Sequence, residues 1–326
     1  MGGDIIALTA AKQDGGAQDG GAQDGGAQDG GAETDRVGIG LALLAIYVIW
    51  GSTYLAMRIG LQGFPPFLMA GVRFLIAGGG LMLALHGRGV PARAQWGGAG
   101  LVGALLLGLG NGGVMFAEYK GVTSGLAALG IATVPLWTSL FGGLWGQWPT
   151  RREWLGLGIG FCGIICLNLE GGLRGSPLGA ASLVVSAVGW AFGSVWSRRL
   201  TLPTGAMAPA AQMLCGGVLL LAVSAVRGEH LYGLPLRPLL AFVYLVFAAV
   251  VGYSAYAYLL AHVRPALATS YAYVNPVIAV GLGALLMGER LSPAGFAALA
   301  LIVLGVGLTA FAKTPKASIA AEGEVA

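Results

Sequence analysis

From Val37 onward the sequence is a nearly continuous series of apolar runs, separated only by short polar or turn-forming segments. A helix rises 1.5 Å per residue, so a run of about twenty residues crosses a hydrocarbon core of about 30 Å. A water-soluble fold would need polar surface that this chain lacks. Only 10% of its residues are charged and 56% are hydrophobic, whereas soluble domains carry roughly a quarter charged residues. In lipid the backbone has to satisfy its own hydrogen bonds, which dictates helices. The fold class is therefore all-α integral membrane. Ten spans are predicted, at 38–58, 66–86, 98–119, 122–145, 154–169, 178–197, 206–226, 239–262, 265–287 and 292–312. The 58 glycines suit a bilayer, where small residues let helix backbones approach closely.

The spans fall into two related sets. Residues 266–291 superpose on 125–150 at an offset of 141, with Leu267 and Ala268 on Leu126 and Ala127, and Pro276 on Pro135. Trp50 matches Trp190 at an offset of 140, and Arg58 matches Arg198. The division reads as a tail (1–36), a first repeat (37–170, spans one to five), a second repeat (171–313, spans six to ten) and a C-terminal tail (314–326). Five is odd, so the second repeat is predicted to enter the membrane inverted, the architecture of secondary transporters with a midplane site between the halves. Pro135 and Pro276 each remove a backbone hydrogen bond within matched helices. They are candidate hinges, against the plainer reading that transmembrane helices tolerate proline.

Residues 13–32 repeat QDGGA four times, a composition too polar and glycine-rich to offset ordering entropy. This tail lacks the basic and apolar regions of a secretory signal. Ile6 stands where a myristoylation motif needs Ser or Thr. With the N-terminus in the cytoplasm, eleven Lys and Arg residues fall on the cytoplasmic side and six outside, with Arg73 left within a span. That bias places both termini in the cytoplasm.

Charged residues inside a bilayer are costly and commonly functional. Arg73 lies seven residues into the second span, roughly 10 Å below the outer surface. It reads either as a clamp on a carbonyl or on Glu118, or as a cation for an anionic substrate group. Glu118 ends the third span beside Lys120, and reads either as an interfacial carboxylate or as the candidate for proton coupling. Asn111 precedes it by seven residues, on the same helical face. Trp50 with Tyr54, Trp190 with Ser194, and Tyr271 with Asn275 are i, i+4 pairs in the first, sixth and ninth spans. Tyr253 and Tyr256 share a face of the eighth. Together these residues are the candidate substrate cavity, its aromatic walls suited to amphipathic organic solutes. Helix packing is the alternative for each aromatic.

Other chemistries find little footing. Gly158–Gly163 spells GxGxxG but lies mid-span without the strand a dinucleotide site needs. Gly156 and Gly160 read instead as a GxxxG packing face. The chain contains no GxxxxGK[ST] motif. His86, His230 and His262 fall at span ends or in loops, which disfavours an intramembrane hydrolase. Cys162, Cys166 and Cys215 lie within apolar runs, with neither disulfide nor metal spacing. The expectations are no enzymatic activity, no cofactor, no metal and no nucleic-acid partner.

The stretches IWGSTYLAMRIG, PPFLMAGVRFLIAGG, GNGG–AEY, WAFGSVWSRRLTLPTG, PALATSYAYVNPV and GERLS resemble the drug/metabolite transporter superfamily, in its ten-span EamA-type branch. The resemblance runs from Val37 to about Lys313. It implies two EamA repeats, cytoplasmic termini, a bacterial inner-membrane location, and efflux of small metabolites or drugs from a central cavity. The family's GE before the last span is present as Gly288-Glu289. Its first-half counterpart is degraded to Gly146-Gln147, so no function is assigned to it. The reading is a secondary transporter exporting small organic solutes by alternating access, either proton-coupled or as a facilitator. An importer of the same architecture and a non-transporting scaffold or partner subunit are the competing classes. The partners implied are a small-molecule substrate and the lipid bilayer; a monomer suffices, and a homodimer is compatible.

Overall fold

The computed structural model describes residues 36–310, apart from 147, 168–175, 232, 264–267, 269 and 270. Both tails, and with them the QDGGA repeat, lie outside the described residues. Every regular element among the described residues is helical. Counting pieces that run into one another as one, the order is α1 (Arg36–Gly60), α2 (Pro66–Ala84), α3 (Arg93–Tyr119), α4 (Ser124–Trp145) and α5 (Arg151–Leu167). The second set is α6 (Pro177–Ser197), α7 (Met207–Val226), α8 (Leu236–His262), α9 (Tyr271–Met287) and α10 (Pro293–Ala310). Seven of them, α1–α4 and α6–α8, are long and apolar enough to cross a membrane. α5, α9 and α10 are shorter apolar helices at the remaining predicted positions.

Proline and side-chain caps set the helix starts. Pro66 and Pro177 occupy the first turns of α2 and α6, where a missing N–H costs nothing. Thr150 and Glu153 form a capping box at α5: the Thr150 N–H donates to Glu153 Oε2 at 2.5 Å, and the Glu153 N–H to Thr150 Oγ1 at 3.4 Å. The matched prolines behave differently. Pro276 sits inside the continuous α9, whereas α4 breaks at Ala132–Thr133 and restarts with Pro135 in its second piece.

The packing pairs repeat when each helix is exchanged with the one five places along. α2 packs on α7 and α5 on α10. α3–α6 corresponds to α8–α1, α4–α6 to α9–α1, and α3–α7 to α8–α2. The α5–α10 contact is a close glycine approach. A Cβ placed on Gly305 would lie 2.5 Å from the Gly160 nitrogen and 2.6 Å from the Gly156 carbonyl. The GxxxG face read from the sequence is thus a backbone-to-backbone seam, with van der Waals contact that no larger residue would permit.

Candidate substrate cavity

Two local irregularities position the central residues. α1 is π-helical over Ile46–Trp50 and α3 over Ala104–Asn111. A π turn inserts an extra residue and rotates the face that follows, a distortion common at functional sites. The first ends on Trp50 and the second on Asn111, and both residues face one cavity. Trp50, Thr53, Tyr54 and Met57 of α1, Arg73 of α2, and Gly110, Asn111 and Val114 of α3 line it. Ile131 of α4, Trp190 of α6, Leu245, Ala248, Ala249 and Tyr253 of α8, and Tyr271 of α9 complete the wall. The cavity is small, about 50 Å³, room for a few waters.

Trp50 is the hub. Its ring centroid lies 5.6 Å from Trp190, 5.5 Å from Tyr253, 5.1 Å from Tyr256 and 5.0 Å from Tyr271, within the range of favourable tilted and edge-to-face pairing. The two tryptophans matched by the repeat therefore touch, edge to face. Each also rests on a glycine of the other half. A Cβ on Gly252 would fall 2.2 Å from Trp50 Nε1, and one on Gly110 would fall 2.8 Å from Trp190 Cε3.

Among the described residues Arg73 is the one charged residue of the lining, with 3% of its surface exposed. It donates through Nη2 to Asn111 Oδ1, and its guanidinium stacks on Phe74, 4.4 Å from the ring centre. The clamp on Glu118 is absent among the described ion pairs. Arg73 Nε, Trp190 Nε1 and Tyr271 Oη, all buried, make no hydrogen bond of normal geometry.

Glu118 is buried, with 2% exposure, although it lies at a helix end. Neither carboxylate oxygen has a hydrogen-bond partner; Lys120 turns instead over the Phe116 and Tyr119 rings. Arg58, Glu289, Arg73 and Tyr54 lie within its electrostatic reach. Three other predicted residues stand behind the wall. Tyr256 packs on Trp50 and is paired with Ser194, Oγ to Oη 3.3 Å. Asn275, with its amide turned to suit its neighbours, donates to the Tyr47 and Tyr271 carbonyls at 3.2 Å each. That role stitches α9 to α1.

The sequence offered Glu289 only as part of the GE before the last span, with no function assigned, and the structure gives it a set of partners. Glu289 accepts from the Ser124 hydroxyl (2.6 Å) and from the backbone N–H groups of Ser124 (3.1 Å) and Gly125 (3.3 Å). It also lies 3.8 Å from Arg58 Nε. The matched glycines under the tryptophans were missed too. The only sequence signal for them was position: Gly110 and Gly252 lie in matched helices, near the repeat offset.

A helical bundle with seven long apolar helices, enclosing an aromatic cavity that holds one buried cation, is the build of a membrane transporter. The comparisons agree: residues 36–169 and 177–311 each match the EamA-like transporter family, and the chain belongs to that family. The chain is similar to "Uncharacterized inner membrane transporter YedA" of Escherichia coli strain K12. The two are 49% identical over 276 residues, covering 83% of this chain and 90% of that one. It is 25% identical over 296 residues to the Escherichia coli strain K12 protein named "Probable amino-acid metabolite efflux pump", covering 83% of this chain and 94% of that one. A solved crystal structure shares the fold at 22% identity, with a TM-score of 0.62 over 82% of this chain and 96% of the other.

Proposed function

We propose that this chain is an inner-membrane exporter of small amphipathic organic solutes, working by alternating access between two inverted five-helix repeats. The observation that carries the reading is the cavity itself. Trp50 and Arg73 from the first repeat and Trp190, Tyr253 and Tyr271 from the second converge on it. A solute with an acceptor or anionic group would satisfy Arg73 and Asn111, and its apolar body would lie against the aromatic rings. The pairing of helices under exchange of halves supports a two-fold relation. Five spans per half then invert one repeat relative to the other, with both termini cytoplasmic by the positive-inside rule. The efflux names among the relatives favour export over uptake.

The test is untargeted mass spectrometry of spent medium from bacteria expressing wild type or Trp190→Ala at matched membrane levels. Solutes enriched outside only with wild type establish export and its chemical class. Equal media, with solute accumulating inside wild-type cells, would establish uptake instead.

Glu118 is the proton-coupling group in this reading. It is a buried carboxylate with unpartnered oxygens, and a neutral amide can replace it sterically. A single titrating group permits up to a tenfold change in its charged fraction per pH unit. Glu118→Gln is expected to flatten the dependence of flux on external pH to less than about twofold per unit. Unchanged pH dependence in vesicles holding Glu118→Gln removes it from the coupling mechanism.

A further inference from the structure

At the end of the bundle where α1 and α9 finish and α4 begins, one carboxylate joins three helices. Glu289 follows α9, accepts from the N–H groups of the first turn of α4, and pairs with Arg58 near the end of α1. Arg58 is itself fixed, donating from Nη1 to the carbonyls of Glu118 (3.1 Å) and Val122 (3.2 Å), on the α3–α4 connection. The contact belongs to both repeats, since Arg58 and Ser124 come from the first and Glu289 from the second. It is also built to close tolerance. A Cβ on Gly283 would lie 2.4 Å from Glu289 Oε2 and 2.9 Å from Ser124 Oγ.

The repeat places Arg198 opposite Arg58, but the dipeptide matching Gly288-Glu289 is Gly146-Gln147, an amide in place of the charge. Arg198 makes no ion pair among the described residues. A charge pair that also caps a helix carries more energy than a neutral contact, and here it spans two bodies that alternating access must separate.

Resting on the reading above, we infer that Glu289 is the latch of the outer gate. While it caps α4 and holds Arg58, the cavity is closed to the outside; its release is the step that opens the outward path.

The experiment places a reporter thiol in the cavity, Val114→Cys, in a background with Cys162, Cys166 and Cys215 replaced by alanine. A membrane-impermeant sulfonated maleimide is applied to intact cells. Glu289→Gln and Gly283→Ala are each expected to raise the labelling rate at least about tenfold over the unaltered latch. Thr123→Ala weakens the start of the same helix, where Thr123 Oγ1 accepts from the Leu126 N–H at 3.4 Å, without touching Glu289. It is expected to leave the rate within about twofold. A rate unchanged in both latch variants, in intact cells and in inside-out vesicles alike, overturns the inference, as does an equal rise in Thr123→Ala, which would make Glu289 a cap and nothing more. A rise seen only in inside-out vesicles keeps the latch but overturns the membrane orientation given under Proposed function.

Discussion

Arg73→Ala is expected to reduce transport by about 30-fold to more than 1,000-fold at equal expression. The range follows from the cost of truncating one partner of a buried, hydrogen-bonded charged contact, about 2–5 kcal/mol, at 1.4 kcal/mol per tenfold. The substitution removes the only cation lining the cavity among the described residues and leaves Asn111 Oδ1 without its donor. Stability should move far less, because Arg73 in the bilayer carries a burial cost that alanine does not. Arg73→Met keeps most of the volume and discards the charge, which separates the two readings of this residue. If Arg73 serves only to clamp Asn111, Arg73→Met will melt lower in detergent yet transport at nearly the wild-type rate. If it binds substrate, flux falls while the melting temperature stays within a few degrees. Full flux with Arg73→Met would sink the cavity assignment.

Gly252→Ala is the second large effect, and it acts through shape alone. The added methyl would fall 2.2 Å from Trp50 Nε1 and 2.8 Å from its Cδ1, closer than side-chain carbons approach any atom. Trp50 is a rigid ring hemmed in by Trp190, Tyr253, Tyr256 and Tyr271 at 5.0–5.6 Å, so it has no free direction of retreat. Overpacking of this kind costs about 1–3 kcal/mol, and displacing the hub should collapse the site it organises. Gly80→Ala is the control, since a Cβ there meets nothing within 4 Å. Thermal melts in detergent and flux in vesicles check both. Gly252→Ala should lower both quantities and Gly80→Ala neither; equal behaviour would mean that the Trp50 ring is free to move.

Much of this molecule could be read from its residues in order. Long apolar runs leave the backbone no option but helices, so the helix positions follow from hydropathy and from prolines at the starts of α2, α6 and α10. The correspondence of Trp50 with Trp190 located the two residues that meet at the centre. Arg73 and Asn111 stood out because polar groups are expensive in lipid, and the fold brings them into contact.

Other features had no signature along the chain. Glu289 reads as a loop carboxylate, because its partners Arg58 and Ser124 are far away in sequence and only the packing of α9 against α1 and α4 brings them within reach. Asn275 and Tyr271 share a helical face, yet the tyrosine lines the cavity while the amide donates to backbone carbonyls. The π turns before Trp50 and Asn111 shift side-chain direction by an amount that regular helical periodicity does not anticipate. Composition and periodicity determine which segments cross the bilayer, because transfer free energy depends on local hydrophobicity. Which polar groups meet inside it was decided by tertiary structure, because a buried contact depends on helix rotation and approach that neighbours in sequence do not specify.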